Sequence, residues 1–171
     1  MRPIIAITMG DAAGIGPEII AKALSDPDIY TMSRPFVIGD TSAIKMGMEV
    51  SNKNLTINII DNPDKGKFQH GIIDLVDLEN IDPCNLVMGE PQAMAGKASV
   101  EYVVKAASMA LRGDVHATVT APLNKEAMHL GGYNYPGHTE LLAEMAEIED
   151  FAMMLISGNL RVVHVTTHIP L

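Results

Sequence analysis

At 171 residues and 47% apolar side chains, the chain is long enough to bury a core of its own, which argues against general disorder. A net charge of −9, with 4% aromatic residues and no tryptophan, argues against nucleic acid as a partner, because phosphate backbones are repelled and stacking platforms are missing. A single cysteine, Cys84, leaves no disulfide framework and no cysteine-rich zinc site.

In chain order, Ile4–Met9 is an apolar, partly β-branched run ending at Gly10-Asp11. It reads as a buried strand, not as a signal peptide or a membrane span, so a cytoplasmic soluble protein is expected. Pro17 and Glu18 open a helix to about Leu24, since proline suits the first helical position and glutamate the positive dipole end. Phe36–Ile38, Leu55–Ile60, Ile72–Val76 and Leu86–Met88 read as short strands, the first closing again on a Gly-Asp pair, Gly39-Asp40. Lys97–Arg112 is the strongest helix: Val100, Val103, Val104, Ala107 and Leu111 fall at helical spacing and Gly113 supplies the stop. It feeds a strand over Val115–Thr120. A short helix follows over Lys125–Leu130, then one over Glu140–Glu147 that Thr139 can cap. Phe151–Ile156 and Leu160–Thr167 flank Ser157-Gly158-Asn159 as a hairpin. The pattern predicts an α/β sandwich with a mixed sheet. The last residues, Thr166 to Leu171, read as a strand end with nothing after it to close the unit, as in a truncated domain.

The residues from Thr118 to Glu140 gather Asn124, Lys125, Glu126, His129, Asn134, His138, Thr139 and Glu140 among several glycines and prolines. A plain reversal of direction needs two or three turn residues, so this inventory at a strand end reads as a candidate active-site wall. Residues Gly10 to Glu18 form a second candidate. A strand, a glycine loop and a helix N-terminus make an anion-friendly concavity, and equally a tight turn whose glycines ease packing. Their G-x-x-x-G-x-G spacing is not the dinucleotide fingerprint, although Asp40 lies near the place of its ribose-binding acid.

His164 and His168 have a zinc-ligand spacing only on a helix. In a β-branched strand their rings sit roughly 13 Å apart at about 3.3 Å per residue. One ion cannot take both; His168 is the better candidate and His164 reads as a partly buried structural histidine. His138 and Thr139 follow Pro136-Gly137 at a helix N-terminus, where an anionic substrate group would find the dipole behind it. Lys125 and Glu126 read as a solvated helix face; His129, His116 and His70 carry no signal above ordinary surface histidines.

Four stretches together carry a resemblance: Ile7–Asp11 with Gly14–Glu18, Thr120–Glu126, Tyr135–Glu140 and Val165–Leu171. In that order they resemble the 4-hydroxythreonine-4-phosphate dehydrogenase family of vitamin B6 biosynthesis, over its N-terminal half. The resemblance implies an isocitrate/isopropylmalate-dehydrogenase-like α/β/α sandwich fold, with residues 1–124 as a first α/β domain lacking its C-terminal return and 125–171 as the interrupted beginning of a second. It implies NAD or NADP as hydride acceptor, a divalent cation (Zn, Mg or Co), a small phosphorylated substrate and a homodimer. It makes His138 and Thr139 substrate ligands and His168 a metal ligand; no residue is assigned as catalytic or as nucleotide-binding. The His164–His168 wording is similar to the branch acting on D-threonate or D-erythronate 4-phosphate. Two other readings compete: a phosphotransacetylase-like acyltransferase, which would need coenzyme A and no metal, and a non-catalytic anion-binding module.

Overall fold

The computed structural model describes residues 2–165. Five strands, β1 (Ile4–Thr8), β2 (Arg34–Gly39), β3 (Thr56–Ile59), β4 (Ile72–Asp77) and β5 (Ala117–Thr120), form one sheet in the order β3-β4-β2-β1-β5. Every neighbouring pair is parallel, with Thr8 level with Ile38 on one side and Thr120 on the other. Parallel neighbours need crossovers, and the chain supplies α1 (Gly16–Ala23) and α2 (Pro27–Met32) after β1, α3 (Thr41–Val50) after β2 and α4 (Ala93–Leu111) after β4. Right-handed crossovers running in opposite directions across the sheet put α1 and α3 on one face and α4 on the other.

The sheet is therefore parallel, not mixed. The expected hairpin exists as β6 (Met154–Ser157) and β7 (Leu160–Val163), but among the described residues its strands pair only with each other. Gly158, first of the two loop residues, has φ +56 and supplies the positive φ that such a loop favours. Leu86–Met88 is not a strand. Side chains take backbone groups in and just before it: Gln92 Oε1 accepts from Val87 N (2.7 Å), and ahead of the segment Asp82 Oδ1 accepts from Cys84 N (2.9 Å), which replaces a ladder with turns.

Helices α2 and α3, absent from the sequence reading, each begin at an aspartate cap. Asp26 Oδ1 accepts from Asp28 N (2.9 Å), and Asp40 Oδ1 accepts from Ser42 N (2.8 Å). Asp40 is thus a structural cap, not a ribose ligand. Its second oxygen accepts from Ile81 N (3.1 Å) and the residue is buried.

The core centres on β2, where Phe36, Val37 and Ile38 are wholly buried between Ile73 and Leu75 of β4, Ala6 of β1 and the surrounding helices. Helix α4 has two apolar faces. One joins this core through Ala95, Ala98 and Tyr102; the other, through Val100 and Val103, meets Met128 and Leu141 in a smaller cluster. The second face receives α5 (Lys125–Leu130) so closely that a Cβ on Gly96 would lie 1.8 Å from the Ala127 carbonyl oxygen. Glycine at 96 is what permits the approach. Among the described residues no helix is long and apolar enough to cross a membrane.

Candidate functional site

In an open parallel sheet, the crevice forms above the carboxyl ends of the strands, where successive connections diverge. Here β1 leads to β2 on one side while β5 flanks β1 on the other. The loops after β1 and β5 are stitched together, Asp11 N donating to the Pro122 carbonyl (3.0 Å) and Ala121 N to that of Thr8 (3.1 Å), and the loop after β4 joins them through Gly89 N, which donates to the Ala13 carbonyl (2.8 Å).

Within this edge the glycines serve packing first. Gly10, at φ +71, lies so near residues 121–122 that a Cβ would meet the Pro122 oxygen at 2.3 Å; one on Gly16 would meet the Met9 oxygen at 2.1 Å. Asp11 is buried, with Oδ1 accepting from Ala13 N (2.9 Å). Burial pushes its carboxyl up from the ordinary value, and that hydrogen bond partly opposes the rise.

Beyond β5 the wall is built in two steps. Asn124 caps α5 by accepting from Ala127 N (3.0 Å), which sets Lys125 at the first helical position with its side chain exposed. After the turn at Gly131-Gly132, Tyr133 and Tyr135 pack onto the Met128–Leu141 cluster and lead into α6 (His138–Met145). The expected cap is corrected here: Gly137 occupies the N-cap position, no side chain caps α6, and Thr139 lies inside the first turn. With no cap oxygen to satisfy them, the first N–H groups of α6 stay open to a ligand.

Two cavities meet at Thr139. One, of about 290 Å³, is polar and lined by Lys125, Thr139, Glu140 and His164 with residues 151–153 of the hairpin approach. The other, of about 370 Å³, is apolar and runs between α4 and α6 past Leu111, Leu142 and Phe151. His138, paired with Thr139 by the sequence, does not line the polar cavity. Its ring is half-buried, its Nε2 is buried without a hydrogen-bond partner, and desolvation holds its pKa below the ordinary histidine value. His164, read as structural, does line the cavity, half-buried at the end of β7, with its N donating to the Met153 carbonyl (3.2 Å). His168 lies outside the described residues.

Sequence reasoning passed over Lys125 and His164. Lys125 resembled a solvated helix face, and only the fold brings α5, α6 and the hairpin around one space. The signal for Lys125 was its position directly after a capping asparagine, where a cation works against the helix dipole. Among the described residues no group of three or more His, Cys, Asp or Glu side chains converges as a metal site. The arrangement suits holding a small anion: one lysine, one hydroxyl and an uncapped helix turn around a polar cavity.

A parallel sheet with a polar cavity beyond the carboxyl end of β5 places the chain among α/β proteins of enzyme architecture. Residues 31–171 match the family described as Pyridoxal phosphate biosynthetic protein PdxA, and the chain belongs to that family. It is 45% identical over 170 residues to a Clostridium botulinum protein provisionally named D-threonate 4-phosphate dehydrogenase, which covers 99% of the chain and 51% of that protein. It is 42% identical to a 4-hydroxythreonine-4-phosphate dehydrogenase of Desulforapulum autotrophicum, covering 99% of the chain and 50% of the relative. The crystal structure of a 4-hydroxythreonine-4-phosphate dehydrogenase from Burkholderia phymatum superposes with TM-score 0.94 at 42% identity, over 99% of this chain and 51% of that one. The chain thus spans about half the length of the curated relatives it matches, and corresponds to their N-terminal half.

Proposed function

We propose that this chain forms the N-terminal, substrate-binding half of a dehydrogenase acting on a 4-phosphorylated four-carbon hydroxy acid. The observation that carries the reading is similarity along 99% of the chain to relatives named for two such substrates, 4-hydroxythreonine 4-phosphate and D-threonate 4-phosphate. The polar cavity at Thr139 supports it, because the substrate class is anionic and the cavity gathers donors. His138 and Thr139 are the proposed substrate ligands, Thr139 from inside the cavity and His138 from beside it.

In the proposed reaction the secondary alcohol loses a hydride to NAD or NADP and a proton to solvent or a base, leaving a ketone. In the 4-hydroxythreonine case a β-keto acid results, which can lose carbon dioxide. The nicotinamide carries the redox chemistry, and the task left to these residues is to bind and orient the acid. The divalent cation (Zn, Mg or Co), with His168 as one ligand, belongs to the same proposal; the described residues do not by themselves fit a metal site. So do the isocitrate-dehydrogenase-like two-domain plan, with its boundary near residue 124, the homodimer and a cytoplasmic location. The acyltransferase reading gains no support from relatives that are named dehydrogenases.

D-Threonate or D-erythronate 4-phosphate is the second substrate reading, and the name of the 45% identical relative favours the first of the two. Both are tested at once by supplying the full-length protein with NAD or NADP, a divalent ion and each acid in turn, and following absorbance at the reduced nicotinamide band. Reduction with one acid and not the other chooses the substrate. Absence of reduction with all of them ends the dehydrogenase proposal.

A further inference from the structure

We propose that Lys125 is a binding residue of this site, holding an anionic group of the substrate (phosphate or carboxylate) in the polar cavity beside Thr139. The inference rests on the substrate reading above and adds a residue to it. Three titratable side chains line the cavity, Lys125, Glu140 and His164, and Lys125 is the only one with a fixed positive charge. A chain of net charge −9 repels a small acid at long range, and Glu140 adds to that repulsion within the cavity. A local cation is what can reverse the sign there.

Its placement points the same way. Lys22, Lys65 and Lys97 each pair with an acid four residues away on their own segment; Lys125, like Lys45, Lys53, Lys67 and Lys105, forms no ion pair with any described residue, and of these five it alone lines the cavity. It also stands at the first position of α5, where the exposed N–H groups already carry partial positive charge. A cation there works against the helix dipole in place of the gain an acid would bring. An anion held between Lys125 and the uncapped first turn of α6 turns both liabilities into contacts, since charged hydrogen bonds are the strong ones. Local rules broken without structural return are where binding residues are found.

The test uses the 171-residue chain labelled with 15N and titrated, at low ionic strength, with inorganic phosphate and separately with acetate, reading the Thr139 amide. In the parent chain, phosphate, acetate or both shift that resonance. Lys125→Met raises the Kd of the responsible anion by about tenfold, as loss of a charge-assisted contact should. Lys125→Arg restores most of the affinity, which a purely structural role would not require, and amides remote from the cavity stay in place in both variants. The anion whose Kd depends on Lys125 identifies the group it holds. If Lys125→Met binds with the parental Kd while Thr139 still responds, the site stands and the role of Lys125 is overturned. If neither anion moves Thr139 in the parent chain, the substrate reading of this cavity falls, and the role of Lys125 with it.

Discussion

The five-stranded sheet and the segment that follows it, residues 122–165, are built on opposite terms. In the sheet, apolar groups are buried and buried carboxylates are consumed by structure. Asp40 caps α3, and Asp74 accepts from Asn58 Nδ2 (2.6 Å) and Phe68 N (2.7 Å). The one buried orphan there is Thr8 Oγ1, at the carboxyl end of β1. In the later segment, α6 has no side-chain cap, His138 Nε2 is buried without a partner, and every residue of the hairpin strands is exposed. The difference teaches where binding capacity resides. A group already satisfied within its own fold has little left for a ligand, while the later segment keeps its donors free.

The contrast breaks most readily at the centre of the sheet. Phe36 is wholly buried in β2, so Phe36→Ala removes a ring from a space that can only partly collapse. A loss of about 3–5 kcal/mol is expected from urea unfolding followed by circular dichroism. A loss below about 1 kcal/mol, the ordinary size for a substitution, would mean that the sheet is not the rigid member of the pair.

How much of this was legible depended on whether the deciding contact was local. Strands β1, β2, β3, β4 and β5 could be read because buried parallel strands are short apolar runs between turn residues, and β1 to β4 match to within a residue or two at each end. Helix α4 showed itself through Val100 and Val103, although its first turn, over 93–96, lacked any apolar signal beyond alanine and methionine. Helices α2 and α3 went unread because their caps, Asp26 and Asp40, look like ordinary loop aspartates until their acceptors are seen bound to the following N–H groups. Leu86–Met88 looked like a strand and became turns through Gln92 and Asp82, a side-chain competition that periodicity does not encode. For the candidate site, the sequence located the wall at 118–140 but not its membership. Thr139 and Lys125 are 14 positions apart, and His164 joins them only through the hairpin.

His138 offers a smaller and more informative break. Burial lowers its pKa, so the folded protein resists a proton that the unfolded chain accepts near the ordinary value of about 6.5. Stability carried by the neutral ring is therefore whole above that pH. It is lost as pH falls from there toward the depressed folded value. His138→Gln should flatten this acid limb. In the parent chain, proton NMR should place the imidazole midpoint below 6.5, and a bound phosphate should raise it, because an anion nearby favours the charged ring. A midpoint at or above 6.5 without ligand would show the ring to be solvated, and the later segment would lose its one buried orphan.

The hairpin gives the smallest expected effect and the sharpest reading of what surrounds it. Ile156 is 63% exposed in β6, and its neighbours Leu155, Leu160 and Val163 are about half exposed or more. An isolated two-stranded hairpin is marginal in water, and nothing among the described residues covers either of its faces. Ile156→Thr, which keeps the β-branch, should then change unfolding free energy by less than about 0.5 kcal/mol, as at any exposed position. That expectation holds only while the hairpin is bare. A cost above about 1 kcal/mol would mean that Ile156 is buried in solution, and its dependence on protein concentration says by what. A cost that grows with concentration identifies a second copy, consistent with the proposed homodimer, because association stabilises by mass action. A cost independent of concentration requires cover from within the chain itself, which would make the later segment as self-satisfied as the sheet.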